Sequence, residues 1–428
     1  MSLTSVRPNA RPDLATPTPN PTPAPASPPA PKRPAVLLVL VLAALSAIGP
    51  LATDLYLPAL PEIAADLGSS ESRVKLTLTA VMAGLASGQL VAGPLSDRWG
   101  RRLPLLVGTG VFTAVTFALV FVTSVETFMA LRFLQGLAAA AGLVVARAVV
   151  RDVFHGDTAA TFFSRLMLIT GLAPMLGPLL GGQLLYLGPW QLIFGTLGLA
   201  GVTTFVLVYL ALPESLPQER RTRQDPRVLA RTFIRLLRDP GFAAPTAVLA
   251  LSFGMSFTYI SAFSFVSQNQ FGASAQQFSL VFGVTTLGMI LGNQVNVALI
   301  RRMELRRRLG LGLVGAIVSV LAMGLLAVTG QATLVNVTVA LFVMMLFTGL
   351  ISPNATAMAL SGQPAEIAGT SSALLGTLQF AVGSGLAATV GLTGETTLGG
   401  MTTVMLVTAV GALVAFLYSA KRAPAPAL

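Results

Sequence analysis

Twelve apolar stretches follow one another along the chain, at residues 35–60, 74–96, 103–123, 127–150, 162–185, 190–212, 241–267, 276–299, 309–329, 333–358, 367–390 and 398–420. A helix needs about 20 such residues to cross the hydrocarbon of a bilayer, so the pattern predicts an all-α membrane protein with twelve spans. The breaks alternate in character. Basic residues gather at Lys32 and Arg33, at Arg98, Arg101 and Arg102, at Arg151, between Arg220 and Arg238, from Arg301 to Arg308, and at Lys421 and Arg422. The intervening breaks hold Glu62, Asp66, Glu71, Arg73, Lys75, Glu126 and Glu395, or no charge. Basic loops stay on the cytoplasmic side, so both termini are expected there, which requires an even number of spans.

Composition agrees with the bilayer as solvent. Of 428 residues 54% are hydrophobic and only 10% charged, with a mean hydropathy of +0.77; a soluble domain carries about 25% charged residues. The net charge of +11 sits in separate loops rather than on one basic face, which argues against nucleic acid as a partner. There is no cysteine, so disulfides and thiolate chemistry are excluded. The single His155 lies in an arginine-side loop beside Gly156 and Asp157 and reads as solvated, and neither a metal nor a cofactor is expected. Residues 1–34 are rich in proline and alanine and lack apolar periodicity, so a disordered cytoplasmic extension is expected.

The longest internal polar segment, 213–240, follows six stretches and precedes six. That predicts two six-helix bundles, 35–212 and 241–420, with a short cytoplasmic tail at 421–428. The linker carries Arg227, Arg231, Arg235 and Arg238 at helical spacing, with Leu229, Phe233, Leu236 and Leu237 between them. An amphipathic helix on anionic lipid head groups and a solvent-facing linker helix both fit.

Two charges interrupt the apolar stretches. Asp54 stands about six residues before the first stretch closes, and Arg132 about five residues after the fourth begins; at 1.5 Å per residue, on helices of opposite direction, their depths agree within about one turn. Depth is countable and azimuth is not. An isolated charge in hydrocarbon is costly, so an ion pair or a shared aqueous cavity is expected. The pair serves either proton coupling and substrate contact or a permanent structural tie.

Three further features bear on function. Gly93-Pro94-Leu95-Ser96-Asp97-Arg98-Trp99-Gly100-Arg101-Arg102 reads as the tight connection between the second and third spans. Asp97 there is free to cap a helix or pair with a cation, and the loop either latches the two halves or is a solvated turn. The fifth stretch holds Pro174, Gly177, Pro178, Gly181 and Gly182, small residues for close helix packing and prolines that bend the helix. The second half offers neutral polar groups, among them Tyr259, Asn354 and Gln379, and no clear membrane carboxylate, since Glu366 is placed at the start of the eleventh stretch.

These residues resemble the major facilitator superfamily, and within it the twelve-span drug/proton antiporters of the bicyclomycin and chloramphenicol resistance (Bcr/CflA) branch. The resemblance rests on Thr53-Asp54-Leu55-Tyr56-Leu57-Pro58-Ala59-Leu60-Pro61, on Gly93 to Arg102, on Arg132-Phe133-Leu134-Gln135-Gly136 followed by Ala146 to Asp152, and on Pro174 to Gly182. It implies a non-enzymatic, monomeric inner-membrane exporter of small drugs driven by protons. Proton coupling falls to Asp54 and Arg132, and substrate contact to Asp54, Tyr56 and Arg132; Tyr259, Asn354 and Gln379, read from the residues themselves, are either further substrate contacts lining the cavity or helix-packing hydrogen bonds. Gating falls to Gly93, Asp97, Arg98, Gly100, Arg101, Arg151, Asp152, Pro174, Gly177, Pro178, Gly181 and Gly182. The inner part of the first stretch, 36–53, lacks the further acid of some relatives, so neutral polar cargo such as a phenicol fits better than a cation. An exporter of an endogenous sugar or amino-acid derivative has the same architecture. A receptor or scaffold is the alternative outside transport, and it would show no substrate-dependent flux.

Overall fold

The structure is a computed structural model, and it describes residues 35–153, 156–221, 226–364, 367–391 and 396–422. The expectations for residues 1–34, His155, Glu366, Glu395 and most of the tail lie outside these residues, as do the side chains of Arg151 and of residues 156–171. Every regular element among the described residues is helical. In chain order the helices are α1 (Ala35–Asp54), α2 (Leu60–Asp66), α3 (Glu71–Trp99), α4 (Arg102–Ala118), α5 (Val125–Val153), α6 (Gly156–Leu187), α7 (Gln191–Ala211), α8 (Pro226–Arg238), α9 (Pro240–Phe265), α10 (Ala275–Leu299), α11 (Leu305–Val328), α12 (Leu334–Leu360), α13 (Ala368–Ala388) and α14 (Leu398–Arg422).

Among the described residues, 11 helices are long and apolar enough to cross a membrane, and the protein is a multi-pass membrane protein. The stretch expected at 162–185 falls in α6, whose described side chains form a shorter apolar run, Leu172–Leu187. The linker forms α8 between Pro226 and Arg238, with its arginines at helical spacing.

Helices α1 to α7 pack on one another, as do α9 to α14; the two clusters meet mainly where α3 lies on α13 and α6 on α10. Glycines set several of these distances. A methyl at Gly136 on α5 would collide with the Val81 carbonyl on α3, and one at Gly292 on α10 with the Leu346 carbonyl on α12, so only glycine admits backbones this close.

The first span is broken. Helix α1 ends at Asp54, a 3-10 turn covers Leu57–Ala59, and α2 begins at Leu60. Pro58 and Pro61 have no N–H to donate, so neither can extend the hydrogen-bond series of α1, and each sits instead at the start of the helical element that follows. Leu55 N–H still reaches back to the Leu51 carbonyl, after which the helical series stops and its next carbonyls are open to other donors. Short α2 is held by α7 and the turn before it, with Trp190 Nε1 donating to Asp66 Oδ2 at 2.8 Å and Trp190 N–H to Glu62 Oε1 at 3.2 Å.

Candidate functional site

The break in the first span and the start of α5 form one buried site. Arg132 on α5 is 0% exposed. Its Nη1 donates to the Ala52 carbonyl at 2.8 Å, one of those opened by the break, and to Gln135 Oε1 one turn further along α5. Gln135 Nε2 in turn donates to Thr116 Oγ1 on α4 at 2.8 Å, which orients the amide so that its oxygen faces the guanidinium. The Tyr56 ring lies under the guanidinium, 4.1 Å from its carbon to the ring centroid, and Phe194 on α7 lies at 5.8 Å. Such stacking favours a desolvated cation. Tyr56 is itself fixed by a 3.0 Å hydrogen bond between its hydroxyl and Thr77 on α3.

Arg132 Nε and Nη2 are buried and have no hydrogen-bond partner among the described residues. Unsatisfied donors on a fully buried cation are costly, and natural proteins keep few of them. Asp54 lies two residues beyond the carbonyl that Arg132 holds and is 7% exposed. The two charges therefore share one site, as their depths suggested, but no direct ion pair joins them; the link runs through the backbone of the broken helix. Helix α6 covers Asp54. A methyl at Gly177 would sit 2.9 Å from Asp54 Cβ, and one at Gly181 would collide with the Leu55 carbonyl.

Prolines 174 and 178 lie inside α6, and its glycines face two ways. Gly177 and Gly181 receive the first span, whereas Gly182 faces Ser279 of α10 and accepts from Gln276 Nε2 at 3.1 Å. Overpacking a tight contact costs about 1–3 kcal/mol. Gly181→Val is accordingly expected to lower the unfolding temperature of the purified protein and to displace the Asp54 segment; an unchanged melting curve would mean that the helices are not held this close.

The segment from Gly93 to Arg102 is mostly helix rather than loop, because α3 continues to Trp99 and leaves only Gly100 and Arg101 as the turn. Gly100 has φ +91°, a conformation side chains rarely adopt, and a methyl there would strike the Glu214 carboxylate. Arg101 is buried. It donates through Nη1 to Asp97 Oδ1 at 2.6 Å and Ser96 Oγ at 2.8 Å, through Nε to Asp152 Oδ2 at 2.8 Å, and through its backbone N–H to Glu214 Oε1 at 2.7 Å. Burial works against its charge, yet Asp152 and Asp97 outweigh burial and hold the guanidinium pKa above its ordinary value. Asp97 is thus an ion-pair partner and not a cap. These ties of Arg101 join α3, α5 and the segment after α7; in this conformation they do not latch the two halves together. A methyl at Gly93 would make ordinary contact with the Val144 side chain of α5 at 4.0 Å, and Arg98 is exposed beside the Trp99 ring.

In the second half the three candidate contacts separate. Tyr259 is buried, its hydroxyl 2.6 Å from Thr285 Oγ1 and its ring against Phe263 and Phe282. Asn354 donates to Asn296 Oδ1 at 2.6 Å, an oxygen that also accepts from Arg308 Nη1 at 3.1 Å. Gln379 is half-buried on α13 and has no hydrogen-bond partner among the described residues.

The second charged cluster spans the two halves and escaped sequence reasoning. Lys75, read as a residue of the break, is only 3% exposed on α3 and donates to Thr396 Oγ1, just before α14. Glu71 accepts from Thr396 N–H at 3.1 Å and from Asn269 Nδ2 at 2.6 Å. Asn269 belongs to a π turn, Val266–Gln270, that follows α9. The same turn sends Gln268 Nε2 to the Pro58 carbonyl at 3.1 Å, and Ser264 Oγ on α9 reaches the Leu57 carbonyl at 2.6 Å. The broken first span therefore supplies acceptors to Arg132 on one side and to α9 on the other. All of these bonds lie at the arginine-poor end of the molecule.

Comparisons with known proteins agree with this architecture. The family model described as Major Facilitator Superfamily matches residues 42–388. The MFS-type transporter YdgK of Bacillus subtilis is 38% identical over 381 residues, 89% of this chain and 94% of that protein. The bicyclomycin resistance protein homolog of Haemophilus influenzae is 33% identical over 347 residues, 81% of this chain and 86% of that one. Among solved structures, a bacterial homolog of the human lysosomal transporter Spinster, in an inward-facing and unoccupied conformation, is similar with TM-score 0.74 at 15% identity, covering 92% of this chain and 99% of that one. At that identity the likeness concerns the fold alone.

Proposed function

The chain belongs to the Major Facilitator Superfamily, so it is a membrane transporter of small molecules and not an enzyme, and from that premise we propose proton-coupled export by alternating access. In this proposal Asp54 carries the proton, and Arg132 is the fixed cation that senses its charge and meets cargo. The observation that carries it is the Arg132 guanidinium, fully buried with two nitrogens unpaired among the described residues and Asp54 on the segment it grips. A structural tie would satisfy those donors; a working site keeps them for an acceptor that comes and goes.

With α6 as the twelfth span, α1 to α7 and α9 to α14 form two six-helix bundles joined by α8, and the arginine-rich side is cytoplasmic. The bonds from Glu71, Lys75, Leu57 and Pro58 to the second half then close the outer side, which suits a conformation that receives cargo from the cytoplasm. Neutralising Asp54 by protonation weakens its attraction for Arg132 and frees the broken segment to move against α9.

Cargo is best described as a small polar molecule. Apart from Asp54, the groups here proposed for cargo are neutral or cationic, which suits an endogenous sugar or amino-acid derivative; the relative named for bicyclomycin resistance brings antibiotics, phenicols included, and the Bcr/CflA branch into the panel. Purified protein in sealed vesicles under an imposed pH gradient, offered metabolites, phenicols and bicyclomycin-like compounds, is expected to show cargo-dependent proton flux with at least one. Cargo flux indifferent to collapse of the gradient would overturn the coupling.

A further inference from the structure

The outer surface of the first half carries a groove unrelated to the Arg132 site. It lies between α3, α4 and α5 and encloses about 230 Å³. Its floor is made of small residues, Gly88, Ala92, Gly108, Ala138 and Ala141, and none of its lining residues is charged. The floor is low because the helices touch there: a methyl at Gly108 would sit 2.7 Å from Ala141 Cβ. Along the rims Val91, Leu103, Val107 and Val111 are exposed, as suits side chains that face lipid.

Its length and its ends indicate the occupant. On α3 the groove runs from Gly88 to Trp99, eleven steps of about 1.5 Å, or about 16 Å. That is about half of a ~30 Å hydrocarbon core, the depth of one leaflet. The groove finishes at the arginine-rich end, where Trp99 is exposed and the Arg98 guanidinium lies 5.8 Å from its ring. Trp at such a position marks the head-group level. Arg102 stands at the same end, with Nη2 on the Tyr209 carbonyl at 2.7 Å and a buried Nε that has no hydrogen-bond partner among the described residues. Among the described residues neither arginine is paired with a carboxylate.

We infer that this groove seats one acyl chain of an anionic phospholipid, with Arg98 and Arg102 receiving its phosphate. An apolar channel one leaflet deep, closed at the head-group level by two guanidiniums without a carboxylate partner among the described residues, selects a chain and an anion on the same molecule. Zwitterionic lipids offer the chain but carry an ammonium that opposes the arginines, and free phosphate offers the anion without the chain.

Native mass spectrometry of the delipidated full chain, incubated with phosphatidylglycerol or phosphatidylethanolamine of equal chain length, tests the assignment. One phosphatidylglycerol is expected to be retained, about 30-fold over phosphatidylethanolamine, the combined effect of two basic side chains at the lipid head group. Ala138→Leu fills the floor and is expected to abolish retention of that lipid. The surface double variant Arg98→Gln with Arg102→Gln is expected to retain both lipids equally, and it serves as the test should Ala138→Leu fail to fold. Undiminished retention by folded Ala138→Leu, equal retention of the two lipids by the unaltered chain, unchanged selectivity in the double variant, or displacement by inorganic phosphate alone would each overturn the site.

Discussion

Arg132→Ala is expected to reduce cargo flux in vesicles by about 100-fold, because hydrogen bonds to a charged group are each worth about 1.5–3 kcal/mol and every 1.4 kcal/mol is tenfold. The substitution removes the guanidinium held by the Ala52 carbonyl and Gln135 and leaves both without their donor. Arg132→Lys is expected to rescue little. An ammonium is a point charge without the planar face that stacks on Tyr56 or the fork that serves two acceptors and leaves two nitrogens free. Asp54→Asn should behave differently. The amide keeps the shape beneath Gly177 and removes the titratable group, so cargo binding is expected to persist while flux loses its dependence on the pH gradient. Binding by titration calorimetry and flux in the same vesicles separate the two effects. Proton-coupled turnover retained in Asp54→Asn would remove that residue from coupling, and full flux in Arg132→Ala would reduce the guanidinium to a structural strut.

Loss of the Glu71 and Lys75 contacts is expected to open the arginine-poor side. Lys75 and Glu71 tie α3 to the segment before α14 and to the π turn after α9. Because the chain has no cysteine, a single reporter can be introduced without background. Ser384→Cys is suitable: Ser384 is buried, and its backbone carbonyl accepts from Thr79 across the same interface at 3.3 Å. Labelling of that thiol by an impermeant maleimide is expected to quicken about tenfold when Lys75→Met and Glu71→Gln are added, the effect of losing at least one charge-assisted hydrogen bond. An unchanged rate would show that the closed side rests on apolar packing alone.

Asp54 and Arg132 were legible in the sequence because charge is rare in apolar stretches, and helical rise converts residue counts into depth. Their mode of contact was not legible. Two opposite charges at one depth leave an ion pair and a shared aqueous cavity both open, and neither reading points to the Ala52 carbonyl that Arg132 holds, an acceptor freed where α1 stops at Asp54. The first stretch reads as one continuous span over 35–60, and which donors use the carbonyls opened by its break depends on α5 and α9, distant in sequence. The Gly93 to Arg102 motif was visible as a unit, but its extent as a loop was overstated, since a proline within reach of helix-forming neighbours did not stop α3 before Trp99. Lys75 was misplaced for a related reason. A lysine next to Glu71 and Arg73 has the local look of a solvated end, and its burial comes from Thr396, 321 residues further along the chain.

By itself the sequence determined what local chemistry controls: where the chain must be helical to satisfy its backbone in lipid, which breaks carry the arginines, and which two charges stand in apolar surroundings. Only the tertiary structure decided which way each helix faces, and therefore that the broken first span joins Arg132 to the α9 contacts and that a leaflet-deep groove lies over α3, α4 and α5. Helical periodicity constrains a residue's depth and face relative to its own helix axis, whereas the rotation of one helix against another is set by close contacts, such as Gly177 on Asp54, between segments that share no local pattern.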